Sequence, residues 1–196
     1  MLGDEAQDLN WRFASFELDP AVPPEGVGWP EYVEGKYGEN ALDGMSDRLG
    51  RAAADDGLAL LDLHQIKRRP NTFAAHRLLA GALEEGEDEN GDLVRQELQQ
   101  RLGLGLLSAY WARGEDVGDR EVLERLAEAA GMPDARVVAA LEDDLTATAV
   151  RLDERRAAKL GIRAVPTFQF GRRFAISGAQ PAQALVDAAR RALTGA

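Results

Sequence analysis

The chain contains no cysteine. It therefore has no disulfide, no thiolate nucleophile and no cysteine-held zinc or iron–sulfur centre of its own. Histidine is scarce as well: His64 and His76 are the only two, too few for most all-protein zinc sites. Long apolar runs are missing, and no segment reaches the length that a bilayer-spanning helix needs. Met1 to Asp8 has neither a basic region nor an apolar stretch, so no secretory signal is expected there. Positive charge is in deficit, with 23 Lys and Arg against 34 Asp and Glu and a formal net charge of -11. No basic stripe is then available to displace counterions, which argues against nucleic-acid binding. These absences predict a cytoplasmic globular protein with no membrane partner, no metal and no bound cofactor.

What is present suffices for a core. The 196 residues are 45% hydrophobic, enough for one domain carrying a sizeable insertion. Leu9 to Leu18, "LNWRFASFEL", is rich in aromatic and apolar residues and reads as a strand stopped by Pro20. The connector "PAVPPEGVGWP" excludes a helix. Helical patterning then dominates. Pro30 suits the first turn of "PEYVEGKYG", and Leu42, Met45, Leu49 and Ala53 share one helix face that Gly57 closes. Asn71 is placed to cap a helix carrying Ala75, Leu78, Leu79 and Ala82. The run "EEGEDENGD" (84–92) reads as a solvated acidic loop, and a helix follows from Val94 to Tyr110 despite Gly103 and Gly105. Asp119 caps "REVLERLAEAA", which Gly131 ends; Pro133 opens the next helix, and "LTATAVRLDERRAAKLG" closes the block at Gly161.

Strands return only near the end. Thr167–Phe170 and Arg173–Ile176 flank Gly171-Arg172 as a two-residue hairpin turn, and a last helix runs from about Pro181 to Leu193. One N-terminal strand makes no stable sheet, so Leu9–Leu18 is expected to join this hairpin across the helical block. The fold class is α/β: residues 1–29 and 162–196 form a discontinuous sheet-bearing core, and residues 30–161 form an inserted helical domain.

Four stretches carry a resemblance: "WRFASFELDPAVPPEG" (11–26), "IKRRPNTFAAHRLL" (66–79), "GLLSAYWARGEDVGDREVLERLAEAAG" (105–131) and "KLGIRAVPTFQFGRRFAISGAQP" (159–181). In this order and spacing they resemble the DsbA family of thiol–disulfide oxidoreductases, most of all its cytoplasmic FrnE-like branch. The resemblance implies a thioredoxin-like fold with a helical insertion after its second strand. It also implies a departure, since family members begin with another strand and a helix joined at a Cys-x-x-Cys pair. That unit has no counterpart from Leu9 onward. A truncated reading, a Met1–Asp8 tail or homodimer partner that completes the sheet, and a rearranged sheet are the open explanations.

By the same resemblance, the Val165–Pro166 bond is cis, and Val165, Pro166 and Thr167 hold an extended peptide or protein thiol substrate by strand addition. His76 reads either as a cleft group titrating near neutrality or as a structural hydrogen-bonding histidine, the simpler alternative. Asn71 has a cap role first and a cleft role second. "IKRR" (66–69) reads as a solvated loop, and Tyr110 and Trp111 as core. Asp143-Asp144 and the 84–92 run lack calcium-loop spacing. No residue qualifies as catalytic, because thiol exchange needs two sulfurs. Two other classes stay open. One is a glutathione-using enzyme similar to kappa-class transferases and 2-hydroxychromene-2-carboxylate isomerases, and the other is a noncatalytic peptide-binding module.

Overall fold

The computed structural model describes residues 11–84, 91–171 and 173–194. Its elements run β1 (Val27–Gly28), α1 (Trp29–Tyr37), α2 (Ala41–Asp55), a 3-10 turn (Leu63–Gln65), β2 (Arg68–Arg69), α3 (Phe73–Gly81), α4 (Gly91–Arg113), α5 (Arg120–Ala130), α6 (Asp134–Glu142), α7 (Asp144–Lys159), β3 (Thr167–Phe170), β4 (Phe174–Ser177) and α8 (Ala182–Thr194).

The helices start and stop where side-chain chemistry dictates. Asp119 accepts from the N–H groups of Glu121 and Val122 at 2.9 and 3.1 Å, satisfying two donors at the start of α5. Asp143 does the same for Leu145 at 3.0 Å at the start of α7. Gly131 ends α5 at φ 88, a conformation that costs a residue without Cβ nothing. The C-terminal carbonyls at the end of α6 are met from outside. Arg77 donates to Ala140 O at 2.9 Å and to Asp143 O at 2.8 Å, placing a cation at the negative end of a helix.

Two cores result. Leu78, Leu98, Leu102, Leu106, Leu123 and Val137 meet between α3, α4, α5 and α6. A second core gathers Trp29, Val33, Leu42, Leu63 and Ile66, with Tyr110 and Trp111 of α4 packed against it. Trp111 meets Trp29 edge-on at 6.4 Å between ring centroids, an arrangement the ring quadrupoles favour. The expectation of core packing for Tyr110 and Trp111 thus holds.

The N-terminal segment departs from the reading above. Residues 11–18 form no strand, and the structure holds two separate two-stranded ladders, β1 with β2 and β3 with β4. Leu9–Leu18 therefore does not join the hairpin over its described part; Leu9, Asn10 and the Met1–Asp8 tail lie outside the described residues. The segment still alternates, but it buries the polar Ser15 and Glu17 and exposes Trp11 and Leu18. Side chains replace the ladder: Phe13 pairs with Gln99 of α4, and the Ser15 N–H donates to Asp153 of α7 at 3.1 Å. A backbone served in this way needs no neighbouring strand.

Smaller differences follow from local geometry. Strand β4 begins at Phe174 rather than Arg173, with Phe170 opposite Phe174 and Thr167 opposite Ser177. The hairpin connection is thus longer than Gly171-Arg172; Arg173 belongs to it and donates its N–H to Phe170 O at 3.2 Å, while Arg172 lies outside the described residues. Gly91 and Asp92 belong to α4 instead of the acidic loop, whose residues 85–90 are likewise outside. In "IKRR", Arg68 and Arg69 form β2 and register against Gly28 and Val27.

Candidate functional site

The loop that enters β3 is fixed by two bonds. The Thr167 hydroxyl donates to Ala164 O at 2.7 Å, and the Gly178 N–H donates to Pro166 O at 2.8 Å. Between them, the Val165–Pro166 peptide bond is cis. Val165 is 50% exposed, and among the described residues its backbone N–H and C=O take no backbone partner. Among the described residues, strand β3 pairs with β4 on one side only, and no strand lies along its other edge. Helix α8 packs on β3, buries Val186, Ala188 and Ala189, and lays the Arg191 guanidinium over the Phe174 ring at 4.1 Å. Val165, Pro166 and Thr167 thus form one continuous exposed corner.

His76 and Asn71 lie elsewhere, His76 on α3 and Asn71 just before its start. Asn71 Oδ1 accepts from the Phe73 N–H at 2.9 Å, the capping bond the sequence predicts, while its Nδ2 donates to Val22 O at 2.7 Å. Asn71 therefore ties the start of α3 to the proline-rich connector. Burial holds the His76 pKa below the ordinary 6.5, against the smaller opposing effect of nearby carboxylates and the Phe16 backbone, so the ring is neutral at neutral pH. Its buried Nδ1 has no partner. The ring is buried beside the N-terminal segment at Phe16. Among the described residues no hydrogen bond or ion pair joins His76 or Asn71 to the Val165 corner.

Beside His76 sits a cluster with no signal in the sequence. Arg151 Nη1 donates to Glu17 Oε2 and to Glu154 Oε2, both at 2.8 Å. Its guanidinium also covers the Phe73 ring at 4.2 Å. The Glu17 side chain is 3% exposed; burial pushes its pKa up, and Arg151 holds that of Glu154 down. Two carboxyls and one guanidinium at close quarters favour a proton on the buried member. Glu17 and Arg151 stand 134 residues apart, so neither composition nor spacing could pair them.

No group of three or more His, Cys, Asp or Glu among the described residues has the geometry to hold a metal. No helix among them is long and apolar enough to cross a membrane.

The family model for a DSBA-like thioredoxin domain matches residues 3–190. The chain belongs to the DSBA-like thioredoxin family. A solved structure of a probable DsbA oxidoreductase from Streptomyces coelicolor is 34% identical in sequence, with a TM-score of 0.76. The match covers 93% of this chain and 75% of that one. No curated protein matches the chain. In this DSBA-like chain the mostly helical build and the few strands are the family fold with its helical insertion. The sequence contains no cysteine.

Proposed function

We propose that this chain is a peptide-holding member of the thiol–disulfide oxidoreductase family, without exchange activity of its own. The observation that carries the reading is the Val165 corner: among the described residues its backbone N–H and C=O take no backbone partner, and it leads directly into a strand paired on one edge only. An extended polypeptide supplies the complementary groups of an added strand, gaining main-chain hydrogen bonds largely independent of its sequence. Pro166 has no N–H, so the loop offers its hydrogen bonds through Val165 and the strand beyond. Exchange itself requires a thiolate to attack a disulfide and a second thiol to resolve the product. Neither exists in this chain, and a hydroxyl cannot replace either one.

The test uses a labelled extended peptide and fluorescence anisotropy, with a second peptide N-methylated at alternate backbone amides. Saturable binding of the first, weakened at least about tenfold in the second, is the result expected for strand addition. Equal binding of the two would remove it. A parallel insulin-reduction assay with dithiothreitol should show no rate above the protein-free control; turnover by this cysteine-free chain would overturn the redox half of the reading.

A further inference from the structure

The net charge of -11 hides a local reversal. From residue 155 to the end the sequence has eight Lys and Arg but one acidic residue, Asp187. Several of these cations lie close to Val165 along the chain. Arg155, Arg156 and Lys159 are exposed on the last turns of α7, Arg163 is exposed on the linker into the loop, and Arg173 is exposed at the far end of β3. None of these five forms an ion pair among the described residues. Cations of the helical body behave differently where they approach acids: Arg69 pairs with Asp19, Arg120 with Glu124 and Glu142, and Arg151 with Glu17 and Glu154. The helix dipole accounts for Arg156 and Lys159 at the end of α7. It does not account for Arg163 and Arg173, which lie beyond any helix.

We infer that the polypeptide held along β3 is acidic. The inference rests on the peptide-holding reading above and adds the chemistry of the occupant. A peptide paired with the four residues of β3 spans about 13 Å, at roughly 3.3 Å per residue. Arg163 precedes that span and Arg173 follows it, so carboxylates at both ends of the segment meet a cation. Unpaired cations flanking one open edge favour encounter with an acidic partner and disfavour a basic one, which is a specificity device more than an affinity device.

A polypeptide fits better than a nucleic acid on two counts. The open edge presents backbone N–H and C=O groups, to which a phosphodiester chain has no matching ladder. Two rings of the hairpin are already engaged: Phe170 and Phe174 stack on each other at 5.0 Å, and Arg191 covers Phe174, which leaves less aromatic face to stack a base.

The experiment compares three labelled peptides of about twelve residues, alternating Val or Thr with Glu, Gln or Lys, by anisotropy on the full chain at about 0.05 and 0.3 M salt. The expected result is Glu over Gln by about tenfold, little binding of the Lys peptide, and a Glu advantage that shrinks at high salt. An Arg163→Gln/Arg173→Gln double variant should bind the Glu and Gln peptides equally and the Gln peptide as the parent does. Equal binding of all three peptides to the parent overturns the charge inference and leaves the peptide-holding reading standing. Binding of none overturns both. An oligothymidylate or a phosphatidylserine vesicle that binds as tightly as the Glu peptide, with the same loss in the double variant, overturns an acidic polypeptide as the occupant.

Discussion

Gln99 reads the backbone of Phe13 as a strand would. Its Oε1 accepts from the Phe13 N–H at 2.8 Å, and its Nε2 donates to the Phe13 C=O at 3.0 Å and to the Leu79 C=O at 2.9 Å. Gln99 is 1% exposed. Gln99→Leu keeps the volume but strands one donor and two acceptors. The expected loss is about 2–4 kcal/mol, since each buried group left unpaired costs about 1–3 kcal/mol. Urea unfolding measures it, and a loss under about 1 kcal/mol would mean that the N-terminal segment is not held this way.

Phe13 also has a seat on α4. A Cβ at Gly103 would stand 2.5 Å from the Phe13 ring, closer than packed atoms approach. Gly103→Ala therefore gains about 1 kcal/mol of helix propensity and loses about 1–3 kcal/mol to the clash. The net effect is destabilising. In a Phe13→Ala background the clash is gone and the same substitution should stabilise by about 0.5–1 kcal/mol. The reversal of sign across this double-mutant cycle is the prediction, and additive effects would refute the contact.

The Gln99–Phe13 and Gly103–Phe13 contacts mark the boundary of what the sequence discloses. Helices α1 to α8 were legible because caps and periodicity are local: Asp119, Gly131 and Asn71 each act within a few residues of themselves. The hairpin was legible for the same reason, apart from the length of its turn. The Leu9–Leu18 segment was not. Its alternation and aromatic content are those of a strand, and nothing within it says that glutamine and aspartate side chains replace the neighbouring strand. Gly103 read as a weak point in a helix, because its use depends on a ring ninety residues earlier. At the site, Val165, Pro166 and Thr167 were visible as one contiguous run, but His76 and Asn71 were assigned by motif. The structure gives Asn71 the Val22 carbonyl to hold and buries His76.

Asn71 separates two kinds of hydrogen bond in one side chain. Its oxygen caps Phe73 and its nitrogen holds Val22. Asn71→Ala removes both and should cost about 1–2 kcal/mol. Asn71→Asp keeps an acceptor for the Phe73 N–H, and its charge suits a helix N-terminus, but it turns a donor into an oxygen facing the Val22 carbonyl. An intermediate stability, with helix content retained by circular dichroism and the connector around Val22 cut faster by protease, is expected. Aspartate no better than alanine would show that the Val22 bond, not the cap, dominates.

The two histidines pull stability in opposite directions as pH falls. His64 Nδ1 lies 2.7 Å from Asp62 and its Nε2 lies 2.8 Å from Asp43. The bond to Asp62, followed by that to Asp43, raises its pKa above 6.5. A raised pKa means that the folded state holds the proton more tightly, so this stabilisation is complete below pH 6.5 and fades as pH rises through the folded value. His76 is the reverse, because burial lowers its pKa below 6.5. Below that pH the unfolded chain takes a proton that the folded ring refuses, and stability is lost as pH falls toward the folded value. His64→Gln should therefore steepen the loss of stability from neutral to mildly acid pH. His76→Gln, which removes the titrating ring, should flatten it. Denaturant midpoints of the parent and both variants across that range provide the check, and equal slopes in all three would refute both assignments.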